Sequence, residues 1–219
     1  MIRLLPLFVG VAPVLGITAA YWLNVDAGIL PSCMPFLDGC TSISSTGRYM
    51  PGSLVFRAVM LPQAALLVVL WWISIGWLKS VSPVARGRKA ILICGVVGAV
   101  ALVVYVAFLG TTQAFYEFMR RFGIYFHFLG TALSQIILTW SMPKSRIRSM
   151  MLLVIGTPFI LGVINLVQKA VLTNSNNIEN RFEWIAALWM QVWFVLLYFA
   201  WRKSGIAVSV KMDSTNARQ

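Results

Sequence analysis

With Asp, Glu, Lys and Arg struck out, six long stretches remain in the 219-residue chain: 4–25, 58–78, 90–116, 122–143, 149–168 and 184–201. Their lengths run from 18 to 27 residues. A helix needs about 20 apolar residues to cross a hydrocarbon core about 30 Å thick, so each stretch predicts one membrane-spanning helix. A membrane β-barrel is excluded, because its strands alternate apolar and polar over about 10 residues and these runs are continuous. Charged residues make up 11% of the chain, against about 25% in soluble domains, which excludes an ordinary soluble globule. The predicted fold is all-α: a polytopic membrane protein with a single bundle of six transmembrane helices over residues 1–203. The helices are expected at about 4–24, 55–78, 90–110, 122–142, 149–170 and 184–202, followed by a polar, disordered tail at 204–219. Arg3 precedes an apolar run that ends in Thr18-Ala19-Ala20, like a signal peptide. The run is long for a signal core, so a retained helix is expected.

The net charge is +12. In a soluble protein that excess would point to nucleic acid; here its placement gives another meaning, and no nucleic-acid partner is expected. If the connections alternate sides, one side receives Arg3, Lys79, Arg86, Arg88, Lys89, Lys144, Arg146, Arg148, Arg202, Lys203, Lys211 and Arg218. The other receives Arg48, Arg57, Arg120, Arg121, Lys169 and Arg181. Asp26, Asp38, Glu117, Glu179 and Glu183 fall on that second side, and Asp213 alone on the first. Short basic loops stay cytoplasmic. Both termini are therefore expected inside, with loops 25–56, 111–121 and 169–183 outside, in a periplasmic, lumenal or extracellular space. The basic cytoplasmic face also suits anionic lipid or a protein partner.

Cys33 and Cys40 share the first outer loop, in a compartment that permits disulfides, and are expected to be bridged. Two cysteines without a nearby histidine do not make a zinc set. His127 is the single histidine, so neither a metal centre nor a cofactor is expected. Pro6, Pro13 and Gly16 predict a bend in the first helix, and Pro31, Pro35, Gly39 and Gly47 argue against regular helix in the first loop. Trp71, Trp72 and Trp77 are expected as interfacial anchors, and Gly95 and Gly98 as a close-packing face. No internal or inverted repeat is visible.

Polar groups at membrane depth are costly and mark function or helix contacts. Several lie near the outer ends of their helices: Arg57 and Gln63 on the second, His127 on the fourth, Asn165, Gln168 and Lys169 on the fifth, Glu183 and Gln191 on the sixth. At helical spacing His127, Thr131 and Ser134 or Gln135 share one face. These residues predict one outward-facing cavity for a lipid headgroup, with Arg57 and Glu183 as an ion pair. Arg57, Arg120 and Arg121 suit a phosphate, and His127 suits a base. The structural alternative makes the same residues snorkelling charges and interhelical glue. The run Cys40-Thr41-Ser42-Ile43-Ser44-Ser45-Thr46-Gly47, followed by Arg48, is rich in hydroxyls. Ser42, Ser44 and Thr46 can cap a helix, form turns or line a headgroup site. No G-x-S-x-G nucleophile elbow is present.

Three motifs occur in order: C-x-x-I-S-x-T-G at Cys40, Ile43, Ser44, Thr46 and Gly47, with Pro51 following; H-x-x-G at His127 and Gly130; and E-W-I-A-A from Glu183 to Ala187. On a six-helix chain of this size the order resembles the Frag/DRAM/Sfk family, which includes the damage-regulated autophagy modulators and a branch tied to lipid remodelling of GPI anchors. The resemblance implies six helices, cytoplasmic termini, and a role in lipid handling or membrane trafficking. Three functions stay open. The first is recognition of a lipid headgroup or lipid anchor in the outer leaflet, for remodelling, transport or trafficking. The second is a membrane-embedded acyltransferase or lipid hydrolase using His127 with Glu183 or a loop serine. The third is a non-catalytic scaffold in trafficking or autophagy. Membrane lipids are the expected partners.

The charge distribution predicts the labelling pattern of single cysteines in a chain whose native cysteines are replaced. A cysteine after Lys203 should resist an impermeant thiol reagent in intact cells, and one near Asn176 should react; the reverse pattern inverts the topology.

Overall fold

The structure is a computed structural model that describes residues 2–171 and 176–204, without the side chains of 159, 161, 162, 165–171 and 176. Its described residues are helical, without strands. A 3-10 turn (Ile2–Leu4) leads into α1 (Leu5–Asp26). Then follow α2 (Pro35–Asp38), α3 (Ile43–Thr46), α4 (Gly52–Val81), α5 (Arg88–Phe108), α6 (Ala114–Ser141), α7 (Arg146–Val171) and α8 (Asn176–Ser204). Among the described residues five helices are long and apolar enough to cross a membrane: α1 with its leading turn, α4, α5, α6 and α8. The 26-residue α7 stands between α6 and α8 in the chain. Asn165, Gln168 and Lys169, and the tail from 205, lie outside the described residues or side chains.

The helices outrun the charge-free stretches. α6 begins at Ala114, so Glu117, Arg120 and Arg121, expected in the 111–121 loop, lie on its first turns. α8 begins at Asn176, which makes Arg181 and Glu183 helical as well. A charge-free stretch measures only what hydrocarbon tolerates. The backbone keeps its helical hydrogen bonds into the headgroup layer, where long charged side chains reach water.

Each long helix packs on the next, and α8 returns to α1, which closes a ring in chain order. The α5–α6 contact depends on small residues. A Cβ on Gly130 of α6 would stand 2.9 Å from the Gly98 nitrogen of α5, so the two backbones touch where any side chain would part them. Large aromatics fill the ring. Trp71 of α4 meets Trp193 of α8 at 6.0 Å between ring centroids, and Trp77 meets Trp201 at 6.2 Å. Trp71 and Trp77 are thus buried core residues, not the interfacial anchors expected, while Trp72 is exposed. Adjacent helical residues point about 100° apart, and the rotation of α4 that buries Trp71 leaves Trp72 outside.

Pro13 in the middle of α1 has no N–H, which leaves the Val9 carbonyl without its helical partner. Gln63 Nε2 from α4 donates to that carbonyl at 2.8 Å. The first loop also departs from expectation, because it contains two one-turn helices. Pro35 opens α2 at its first position, where a missing N–H costs nothing. Gly39 ends α2 at φ +63, the left-handed conformation that favours glycine. The Cys33–Cys40 disulfide closes this turn with Cα atoms 6.7 Å apart. The closed turn lies on α8: Asn180 Nδ2 donates to Gly39 O at 2.8 Å and Trp184 Nε1 to Thr41 O at 2.9 Å.

The close approach gives a clear test. Gly130→Leu should destabilise the detergent-solubilised protein by about 1–3 kcal/mol, read as a lowered thermal midpoint. Gly76→Ala, where a Cβ meets nothing within 4 Å, should leave the midpoint unchanged or raise it.

Candidate functional site

The three sequence motifs lie far apart in the chain and converge at the end of the bundle covered by α2 and α3. The first forms α3. Ser42 caps it, its Oγ accepting the Ser45 N–H at 3.2 Å. Thr46 Oγ1 donates back to Ile43 O at 2.7 Å. Gly47 is wedged against Phe56 and Leu109 with no space for a Cβ. Asn24, at the end of α1 and fully buried, ties α3 down from below. Its Nδ2 donates to Thr46 O at 2.9 Å and its Oδ1 accepts from the Gly52 N–H at 3.0 Å.

So held, α3 presents Ile43 and Ser44 to the bundle interior. The Tyr105 hydroxyl of α5 donates to Ser44 Oγ at 3.0 Å. The Glu183 carboxyl group of α8 lies close to the α3 turn, near the Ile43 and Ser44 backbone N–H groups and the Ser44 hydroxyl. On α6, His127 Nδ1 lies 2.9 Å from Gly98 O of α5. A carbonyl only accepts, so Nδ1 carries the proton and Nε2 of the neutral ring is left as an acceptor.

Gln63, Tyr105, His127, Thr131, Glu183 and Gln191 line one cavity of about 50 Å³, whose apolar wall includes Ile43, Phe128 and Met190. Gln63 Oε1, Thr131 Oγ1 and Gln191 Oε1 are buried without a hydrogen-bond partner. Phe128 and Met190 also line a larger apolar groove of about 340 Å³, formed with Tyr125, Leu129, Ala132 and Gln135 of α6, Val154, Ile155 and Pro158 of α7, and Ala186 and Trp189 of α8. Gln135 donates Nε2 to Met190 O at 3.1 Å, and Ser134 donates to Ile91 O at 2.9 Å. The shared face expected for α6 therefore divides: His127 and Thr131 meet the cavity, Ser134 is bonded to α5, and Gln135 to α8.

The expected Arg57–Glu183 ion pair is not formed. Arg57 Nη2 instead donates to Leu109 O at 2.7 Å, the carbonyl that follows α5, where a cation also suits the helix dipole. Arg57 is not among the residues lining the cavity. The ion pairs found among the described residues belong to Glu117, bonded by Arg120 at 3.3 Å and Arg121 at 2.7 Å. These arginines lie one turn from Glu117 on their own helix and satisfy it locally, and they too are absent from the cavity wall. Arg48 is half-buried in the turn before α4. Among the described residues no cluster of three or more His, Cys, Asp or Glu side chains is placed to hold a metal ion.

Asn24 and Tyr105 were not singled out by sequence. Each stands as one polar atom in an apolar run, Asn24 beside a loop and Tyr105 as a common aromatic. The available signal was the cost of any amide or hydroxyl at membrane depth.

An all-α chain with five such helices and a polar, loop-capped end to its bundle is an integral, multi-pass membrane protein. The Frag1/DRAM/Sfk1/Cwh43P N-terminal domain matches residues 1–204, and the chain belongs to this family. No curated protein matches the chain, and no solved structure does.

Asn24→Leu should orphan the Thr46 carbonyl and the Gly52 N–H together, at about 1–3 kcal/mol for each buried group. The expected result is a lower thermal midpoint in detergent and faster proteolysis of the 40–50 segment.

Proposed function

We propose that this protein recognises a lipid headgroup or lipid anchor from the outer leaflet and takes part in lipid remodelling, transport or membrane trafficking. One observation carries the reading. Residues of all three sequence motifs, Ile43, His127 and Glu183, line a cavity whose mainly apolar wall carries six polar side chains, and which shares Phe128 and Met190 with an apolar groove between α6, α7 and α8. A lipid has those two chemistries side by side. The groove suits an acyl chain, because its wall is almost wholly aliphatic and aromatic and it lies between helices, where chains can enter sideways. Buried polar atoms without partners at membrane depth are expensive, and a headgroup would satisfy them.

The topology is part of the proposal. All six long helices, α7 included, cross the membrane, both termini face the cytoplasm, and the cavity with its α2–α3 cover faces outward. The 12-to-6 division of basic residues supports this orientation.

The hydrolytic or acyl-transfer alternative draws on His127, whose locked Nδ1–H leaves Nε2 as a base. A nucleophile bonded to that nitrogen is the further requirement. Ser44, the serine nearest the motifs, has Tyr105 and Glu183 as its partners. Recognition is therefore favoured over covalent catalysis.

Ala132 lines the groove and not the cavity, so Ala132→Trp fills the acyl site and spares the polar groups. The variant should purify folded, with lipid co-purification measured by mass spectrometry reduced about tenfold or more. Undiminished lipid in a folded Ala132→Trp protein counts against the reading.

A further inference from the structure

The polar side chains of the cavity share a bias in hydrogen-bonding sense. Gln63 has committed its Nε2 to Val9 O, His127 its Nδ1–H to Gly98 O, and Tyr105 its hydroxyl proton to Ser44 Oγ. What these residues have left is mainly acceptor capacity, with the second Gln63 N–H beside it. Gln63 Oε1, Gln191 Oε1 and Thr131 Oγ1 are buried without donors, and Glu183 brings a carboxyl group to the same wall. The Gln191 amide and the Thr131 hydroxyl keep some ability to donate, but acceptors dominate. The arginines that would favour an anion are bonded to Leu109 O and to Glu117.

We infer that the cavity binds a primary ammonium group on a short alkyl arm, the terminal part of an aminoethyl-phosphate headgroup, with Glu183 as its counter-charge and Gln63, Thr131, His127 and Gln191 as its acceptors. This rests on the lipid-recognition reading and specifies its chemistry. A primary ammonium has three N–H donors and no acceptor, which complements this wall. A phosphate has the opposite pattern and is repelled by a carboxylate. Size agrees. At about 10–15 Å³ per water-sized group, a cavity of about 50 Å³ takes at least three such groups. That is the nitrogen and two carbons of an aminoethyl arm, with the phosphate left outside. A trimethylated ammonium is bulkier and has no N–H to donate.

The test is native mass spectrometry of the purified full-length protein, titrated with dioleoyl-phosphatidylethanolamine, dioleoyl-phosphatidylcholine and dioleoyl-phosphatidylglycerol, and separately with soluble O-phosphoethanolamine. A charge-assisted hydrogen bond contributes about 1.5–3 kcal/mol, so the ethanolamine lipid should bind about tenfold or more tightly than the other two. Excess O-phosphoethanolamine should displace it. Glu183→Gln should remove the preference. Should that variant fail to fold, the isosteric Thr131→Val should still narrow the preference severalfold. Equal binding of all three lipids overturns the ammonium inference and leaves the lipid reading intact. Binding of O-phosphoethanolamine without any lipid adduct keeps the ammonium site and overturns the lipid reading. Binding of neither overturns both.

Discussion

Within hydrocarbon there is no water to complete a backbone hydrogen bond, so every carbonyl released from helical pairing must find a donor inside the protein. Gln63 answers the Val9 carbonyl exposed by Pro13. Arg57 reaches Leu109 O beyond the end of α5, while His127, Ser134 and Gln135 add a second bond to the mid-helix carbonyls of Gly98, Ile91 and Met190. The Gln135 contact bridges α6 and α8, and the others hold neighbouring helices of the ring together. They also account for the chemistry of the cavity. A neutral histidine that gives its N–H to a backbone carbonyl keeps only its acceptor for whatever lies beside it, and a glutamine keeps its oxygen and one N–H. Gln63 and His127 thus tie helices together with one end of the side chain and present an acceptor to the cavity with the other.

The α2–α3 cover shows the same economy. α3 is a single turn and would not persist alone. It is fixed by Asn24 from α1, by contact of Gly47 with Phe56 and Leu109, and by hydrogen bonding of Ser44 to Tyr105. α2 is fixed by the disulfide and by α8. The first loop is therefore part of the bundle, and it brings Ile43 to the cavity wall. This gives a physical role to the first sequence motif: its Ser44 hydroxyl bridges to Tyr105, its Thr46 hydroxyl bonds back to Ile43 O, and its glycine permits close contact with α4 and the end of α5.

How much of this could be read in the chain itself differs from residue to residue. The helical class and the membrane setting follow from the charge-free stretches, because hydrocarbon rejects charge wherever the helices pack. The disulfide follows from two cysteines in one short loop. The family follows from three short motifs, two of which place His127 and Glu183 at the cavity. Helix ends were misjudged at α6 and α8, because charge marks the edge of hydrocarbon and not the end of a helix. Trp71 and Trp72 read alike in sequence and part in the structure, since only rotation about the helix axis separates core from exterior.

Sequence by itself determined which residues must be buried in a membrane and which must meet water, since transfer free energy depends on composition along a single segment. It also marked the polar atoms at membrane depth that need partners. Only the tertiary structure decided who those partners are. Arg57 was free, on charge alone, to pair with Glu183, yet it caps α5, because the Leu109 carbonyl is within its reach. Arg120 and Arg121 meet Glu117 within their own helix. Pairing depends on distances of a few ångströms between helices distant in the chain, and the order of residues does not encode those distances until the ring closes.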